Sequence, residues 1–234
     1  MSTTARTNRP TEPLTGARIR IGVMGSARGD ISDAALDKCR RLGEAIADHD
    51  CWLITGACPG YPHAAVLGAA EKGGQIIGIS PARDLKEHVE MYLSPFEPYD
   101  VLIFTGLGPM GRELVNIRTS DIVVIVGGNS GTLGEFAIAY EEGKLIGVLR
   151  GSGGIADVTP DLVRNMGKET GAQVVYEEDP DVLIDRLLKR YGSTEYTPPC
   201  MPTPEAVTET QLVTAAESCA DTGKERVGPF HPHI

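Results

Sequence analysis

The chain has 234 residues, 41% hydrophobic but only 5% aromatic, and a formal net charge of −10. That length suits one α/β domain with an extension, and the composition calls for a core of Val, Ile, Leu and Ala, the usual content of a buried parallel sheet. The acidic balance argues against a nucleic-acid surface, no apolar run approaches the ~18–20 residues of a membrane span, and Met1 to Thr15 carries Arg6 and Arg9 without a signal-peptide apolar stretch.

A cytoplasmic protein that binds neither nucleic acid nor membrane is therefore expected. Cys39, Cys51, Cys58, Cys200 and Cys219 have neither zinc-site spacing nor an obvious disulfide framework. They are expected to be reduced, with Cys39 and Cys51 buried as small hydrophobes. His231 and His233 form an i, i+2 pair on a proline-flanked terminal segment, a weak pattern, and no metal or resident cofactor is expected.

Ile19 to Met24 reads as the first strand, followed by the turn Gly25-Ser26-Ala27-Arg28-Gly29. A helix over about Ser32 to Asp48 places Leu36, Cys39, Gly43 and Ile46 on one stripe, with Asp30 or Ser32 as its cap. Trp52 to Ile54 is a second strand, broken at Thr55-Gly56-Ala57-Cys58-Pro59-Gly60, and Ala64 to Glu71 an Ala-rich helix closed by Gly73-Gly74. Gln75 to Ile79 and Val101 to Thr105 are the third and fourth strands, with an irregular stretch holding Pro81, Pro95 and Pro98 between them. Gly108-Pro109 then opens a helix, and Ile122 to Val126, Leu145 to Leu149 and Gln173 to Tyr176 complete the strands. The alternation predicts an α/β, doubly wound, mainly parallel sheet of about seven strands, Rossmann-like, with helices on both faces. Residues 17–192 form this domain. Residues 1–16 are expected to be disordered, and 193–234 to be a Pro-rich tail in which Ala206 to Ala220 either forms a short helix or stays disordered.

The richest signal is the fifth strand running into Gly127-Gly128-Asn129-Ser130-Gly131-Thr132 and a new helix. Such a turn leaves backbone N–H groups unpaired at the positive end of a helix, which suits a phosphate, although it also serves any doubly wound fold as a change of direction. Small-residue turns recur after other strands, at Gly25-Ser26, Thr55-Gly56 and Gly106-Leu107-Gly108. Together they would line one crevice beyond the carboxyl ends of the strands. Arg112 lies early in its helix, against the macrodipole, and shares a face with Asn116, so both could point into that crevice. Arg118, near the same helix's end, needs no ligand.

These residues resemble the LOG ("Lonely Guy") superfamily, long called lysine decarboxylase-like, and within it the bacterial branch that includes molybdenum-cofactor carriers. Arg112, Asp121 and Gly131-Thr132-x-x-Glu135 fall at the family's spacings, and Gly25-Ser26-Ala27, Thr55-Gly56-Ala57 and Gly68-Ala69 through Gly73-Gly74 match its earlier turns. The resemblance covers about Ile19 to Arg190. It implies a small phosphorylated ligand, a nucleoside monophosphate or a pterin phosphate, and a homo-oligomer, dimer or higher. As in the family's hydrolases, Gly128 to Thr132 would hold a 5′-phosphate, Glu135 would face the ribose or the attacking water, and Arg112 would stabilise charge. The enzymes of this family cut the N-glycosidic bond of nucleoside 5′-monophosphates, and a carboxylate suits the oxocarbenium-like state of that reaction. The carriers bind in the same crevice without breaking a bond.

Three positions depart from the family pattern. Gly127 stands where many members have proline and Asn129 where they have glycine; Asn tolerates positive φ, so the turn is expected to survive. Glu113 replaces the lysine that usually follows the arginine, which favours a carrier or a differently specific hydrolase over cytokinin activation.

Overall fold

Ile122–Val126 and Leu145–Leu149 are apolar at every position and buried along their whole length, as strands covered by helices on both faces must be. The computed structural model describes residues 18–29, 31–196 and 198. In chain order these form β1 (Arg20–Gly25), α1 (Asp33–Asp48), β2 (Trp52–Thr55), α2 (Tyr61–Glu71), β3 (Gln75–Ser80), α3 (Leu85–Glu90) and β4 (Val101–Phe104). After these come α4 (Gly108–Thr119), β5 (Ile122–Val126), α5 (Ser130–Glu141), β6 (Leu145–Leu149), α6 (Gly154–Met166), β7 (Gln173–Glu177) and α7 (Pro180–Tyr191).

The sheet has seven strands in the order β4-β3-β2-β1-β5-β6-β7, every neighbouring pair parallel. The order reverses between β1 and β5, the kind of switch point beyond which a crevice opens. Side chains alternate across the pleat. Ile21, Val23 and Leu53 face the core shared with α1, α2 and α7. Met24, Val123 and Ile125 face Ile117 of α4, Phe136 of α5 and Ala156 of α6.

Helices α1 and α2 meet backbone to backbone. A Cβ on Gly43 would lie 1.9 Å from the Ala65 carbonyl oxygen, and one on Gly68 2.0 Å from that of Arg40. Neither obstacle is a side chain that could swing away. Gly43→Ala is therefore expected to lower stability by about 1–3 kcal/mol, the usual cost of overpacking, with the fold retained. Thermal unfolding followed by circular dichroism checks this, and an unchanged melting temperature would mean that the helices separate freely.

Several elements differ in detail from the sequence reading. The stretch between β3 and β4 contains α3, capped by Asp84, whose side chain accepts from the Glu87 N–H at 2.8 Å. His88 on α3 is fully buried, between Ser80 Oγ at 2.8 Å and the Pro95 carbonyl at 2.9 Å. Helix α2 starts at Tyr61 rather than Ala64, because Pro62 fits a first turn where no N–H is needed. Ser32 caps α1; Asp30, the other candidate, is outside the described residues. On α1, Ala35 and Leu42 join Cys39, Gly43 and Ile46 in the core, and Leu36 is only half-buried.

Cys39 and Cys51 are buried, and desolvation pushes both thiols up. Tyr196 is also buried, and its hydroxyl accepts from the Leu145 N–H at 3.0 Å, so packing continues past Tyr191. The segment 1–16, Cys200, Cys219, the span 206–220 and the His231/His233 pair are outside the described residues. Among the described residues, no three His, Cys, Asp or Glu side chains are placed to hold a metal, and no helix is long and apolar enough to cross a membrane.

Candidate functional site

The turn from β5 to α5 is shaped by Gly127 and Gly128, whose φ values of +54° and +104° lie in the region that L side chains avoid. Gly127 N–H donates to Ser152 Oγ at 2.8 Å. The carbonyls of Gly127 and Gly128 accept from the N–H groups of Ala156 and Ile155, each at 2.9 Å. These two glycines thus serve the start of α6. Asn129 has φ −119°, extended backbone, so the expectation that it carries the positive φ is corrected, and the φ of Gly127 is one that proline cannot adopt.

Asn129 is the N-cap of α5 but makes no side-chain cap bond; its amide Nδ2 donates instead to Ser26 Oγ at 3.3 Å. The first N–H groups of α5 consequently have no side-chain partner among the described residues and stand at the helix's positive end. They border a crevice of about 290 Å³, at the low end of small-molecule sites.

Of the residues singled out from sequence, Gly25, Ser26, Gly56, Arg112, Asn129, Gly131, Thr132 and Glu135 line this crevice. The others stand behind it or apart. Thr55 is buried, and its hydroxyl accepts from the Ala57 N–H at 3.2 Å. Asn116 is wholly buried, with its amide on Met24 Sδ at 3.3 Å. Gly127 and Gly128 shape the turn, and Ser130 is exposed on the first turn of α5. Gly108, the first residue of α4 after β4, is not among the residues that line the crevice.

Arg112 and Glu135 meet across the crevice, Nη1 to Oε1 at 3.3 Å, with 12% and 7% of their side chains exposed. The arginine is thus far more enclosed than an open crevice wall implies. A Cβ on Gly56 would lie 2.1 Å from Arg112 Nη1, so glycine there leaves the guanidinium its place against the end of β2. Burial pushes the Glu135 carboxyl up to about 7; Arg112 pulls it down, and Glu113 adds to the rise. A carboxyl near neutrality in a cleft is suited to proton transfer.

Sequence reasoning did not count Arg28, Cys58 or Glu113 as site residues, yet all three line the crevice. Arg28 Nη2 donates to the Tyr92 carbonyl at 3.2 Å. Burial pushes the Cys58 thiol up to about 11. Glu113 is 5% exposed on the buried side of α4, and a visible signal for it was the pair Gly131 and Gly134, which clears one face of α5 beside it. Arg118 pairs with Glu142 at 2.7 Å on the surface, as its position near the helix end suggests.

Comparison with known proteins agrees with this architecture. An uncharacterized protein of Archaeoglobus fulgidus is 33% identical over 132 residues, 56% of this chain and 80% of its own length. The molybdenum cofactor binding protein of Rippkaea orientalis is 28% identical, with a TM-score of 0.62 over 74% of this chain and 98% of the other. The molybdenum cofactor carrier protein of Chlamydomonas reinhardtii is likewise 28% identical, with a TM-score of 0.59 over the same shares. The model of the SLOG cluster4 family matches residues 18–184, a span running from β1 into α7 and enclosing every wall of the crevice, and the chain belongs to that LOG-like family.

Proposed function

We propose that the crevice binds a small phosphorylated ligand and that the protein is a nucleoside 5′-monophosphate phosphoribohydrolase, releasing free base and ribose 5-phosphate. The observation that carries this reading is the enclosed Arg112–Glu135 pair facing the cavity beside the uncapped start of α5. The phosphate sits on the N–H groups of Gly131 and Thr132, where the helix end favours an anion. Glu135 then orients a water toward the anomeric carbon and stabilises the positive charge that develops there. The water oxygen bonds to that carbon as the glycosidic bond breaks, the proton it sheds passes to the Glu135 carboxylate, and the base leaves with the bonding pair and takes up a proton from solvent. Arg112 holds the Glu135 carboxylate and offers its remaining N–H groups to ligand oxygens.

A second reading is a carrier or sensor that holds a pterin phosphate such as molybdenum cofactor without cleaving it. It is favoured by the likeness to the two molybdenum cofactor proteins over nearly their whole lengths and by Glu113, which sets a second acid beside the anion site. Incubating purified protein with AMP, GMP, CMP, UMP and a cytokinin nucleotide and chromatographing for free base separates the two. Base release supports the hydrolase; tight binding with no release from any of them supports the carrier.

Arg112→Lys is expected to weaken monophosphate binding at least ~10-fold, because a compact ammonium cannot hold Glu135 and a ligand oxygen with one planar fork. Arg118→Lys, on an exposed pair, is expected to change little. Calorimetry with a bound monophosphate checks both, and equal affinity of Arg112→Lys and wild type would make Arg112 structural.

The protein also acts as a homo-oligomer on this reading. Of the 13 large hydrophobic side chains exposed among the described residues, nine lie between Leu85 and Leu114, around α3, the edge strand β4 and the start of α4. Leu107, Met110 and Leu114 follow an i, i+3, i+7 stripe without charge, able to face a second copy of itself about a two-fold axis. Met110→Glu with Leu114→Glu should shift sedimentation from dimer to monomer; an unchanged sedimentation coefficient places the contact elsewhere.

A further inference from the structure

Among the described residues, Glu113 is the one acid of the crevice with no counter-ion of its own. It is 5% exposed, lines the cavity and has no hydrogen-bond partner among the described residues for its shielded Oε2. The nearest guanidinium, on Arg112, is engaged with Glu135 instead. The carboxylate lies against the first turn of α5. A Cβ on Gly131 would be 3.5 Å from its Oε1, and one on Gly134 3.1 Å from its Oε2. Glycine at both positions leaves room for an acid where the helix would otherwise present side chains.

An ionised carboxylate in that position repels any oxyanion on the same turn. A protonated one does the opposite, since its O–H can donate to an oxyanion oxygen. We propose that Glu113 is a ligand-contacting residue that takes up one proton from solvent when an oxyanion occupies the first turn of α5, and thereby sets which anions the crevice accepts and at what pH. This rests on the phosphate placement given above. Burial already holds the Glu113 carboxyl above its ordinary value, and an arriving anion raises it further. The other charged or titratable groups around it are Arg112 on its own helix, Glu135 on α5, Cys58 after β2 and Arg28 after β1. The two arginines favour the anion at every pH of interest. Glu135 titrates too, so Glu113 is identified by difference.

Binding is tightest below the pH at which free Glu113 ionises. It weakens by up to ~10-fold per pH unit until the anion-bound form ionises as well, because one proton is linked. The crevice thus favours ligands whose phosphate can share a proton, and discriminates against oxyanions at alkaline pH.

Sulfate is the probe, because it stays dianionic across the range and any proton taken up is the protein's. Calorimetry from about pH 5.5 to about pH 8 is run on the full chain as wild type, Glu113→Gln, Glu113→Ala and Gly131→Val, with melting curves to confirm folding. The expected result is a wild-type affinity that falls at least ~10-fold across the range. Glu113→Gln should show a slope shallower by about one proton and bind at least ~10-fold tighter than wild type at about pH 8, with Glu113→Ala following it. Identical slopes in wild type and both Glu113 variants, with Gly131→Val abolishing binding, overturn this inference and leave the phosphate placement standing. Sulfate binding that Gly131→Val does not weaken, or no binding in any form, overturns the placement and the inference together.

Discussion

Glu135→Gln is expected to cut base release at least ~100-fold while the nucleotide stays bound. Glutamine keeps the shape and the contact with Arg112, but it can neither accept a proton from water nor place a negative charge beside an oxocarbenium-like carbon, and losses of that scale follow removal of such a group. Stability carries an independent sign. The folded carboxyl titrates at about 7 against an ordinary value of 4.5, so its raised value contributes stability that is fully present below about pH 4.5 and is lost as pH rises through about 7, worth up to about 3 kcal/mol. Glutamine has no such loss. The melting temperature of Glu135→Gln relative to wild type should therefore rise between about pH 5 and about pH 8, the attraction of Arg112 being already contained in the value of about 7. Scanning calorimetry at both pH values reads this directly, and a difference that does not change with pH would mean that the carboxylate is not desolvated.

Gly131→Val is expected to abolish monophosphate binding with little loss of folding. A Cβ there meets only Glu113 Oε1, at 3.5 Å, and the backbone is helical, so the substitution is sterically tolerated and its methyl groups occupy the anion's space. Gly128 makes a poor probe by contrast: its φ is +104°, and a Cβ would lie 2.4 Å from Thr132 Cβ, so loss of binding there could be loss of the turn. Calorimetry beside a melting curve decides the matter. Unchanged affinity in a folded Gly131→Val would place the phosphate off α5.

The sheet was legible in the sequence because its strands are short, apolar and punctuated by turn residues, and all seven were read within one or two residues. The helices were harder where local signals conflict. Pro160 lies inside α6, a helix for which the sequence reading offered no bounds, and the carbonyl of Ala156 that its missing N–H would have met accepts from Thr159 Oγ1 at 2.7 Å. The site was legible as far as one strand-to-helix turn and one helix face reach: the matched spacings single out Arg112 and Glu135, but not their direct contact across 23 residues. Strand order was not legible: β4 lies at the far edge of the sheet, and the Gly106–Gly108 turn that follows it is not among the residues lining the crevice. The inward side of α4 was read from Arg112 and Asn116, but Asn116 is buried behind the crevice and Glu113 is at its wall. That distinction depends on how α4 rotates against the glycines of α5, which no periodicity in α4 encodes.

A crystal structure of Glu135→Gln grown with ribose 5-phosphate, the part common to every nucleoside monophosphate, decides whether a ribose phosphate lies along the start of α5 with its anomeric carbon toward residue 135. Phosphate oxygens are expected within about 3 Å of the Gly131 and Thr132 amides, with the anomeric carbon facing residue 135 beside the Arg112 guanidinium. A phosphate bound away from α5, or a sugar turned so that its anomeric carbon points out of the crevice, would contradict this placement.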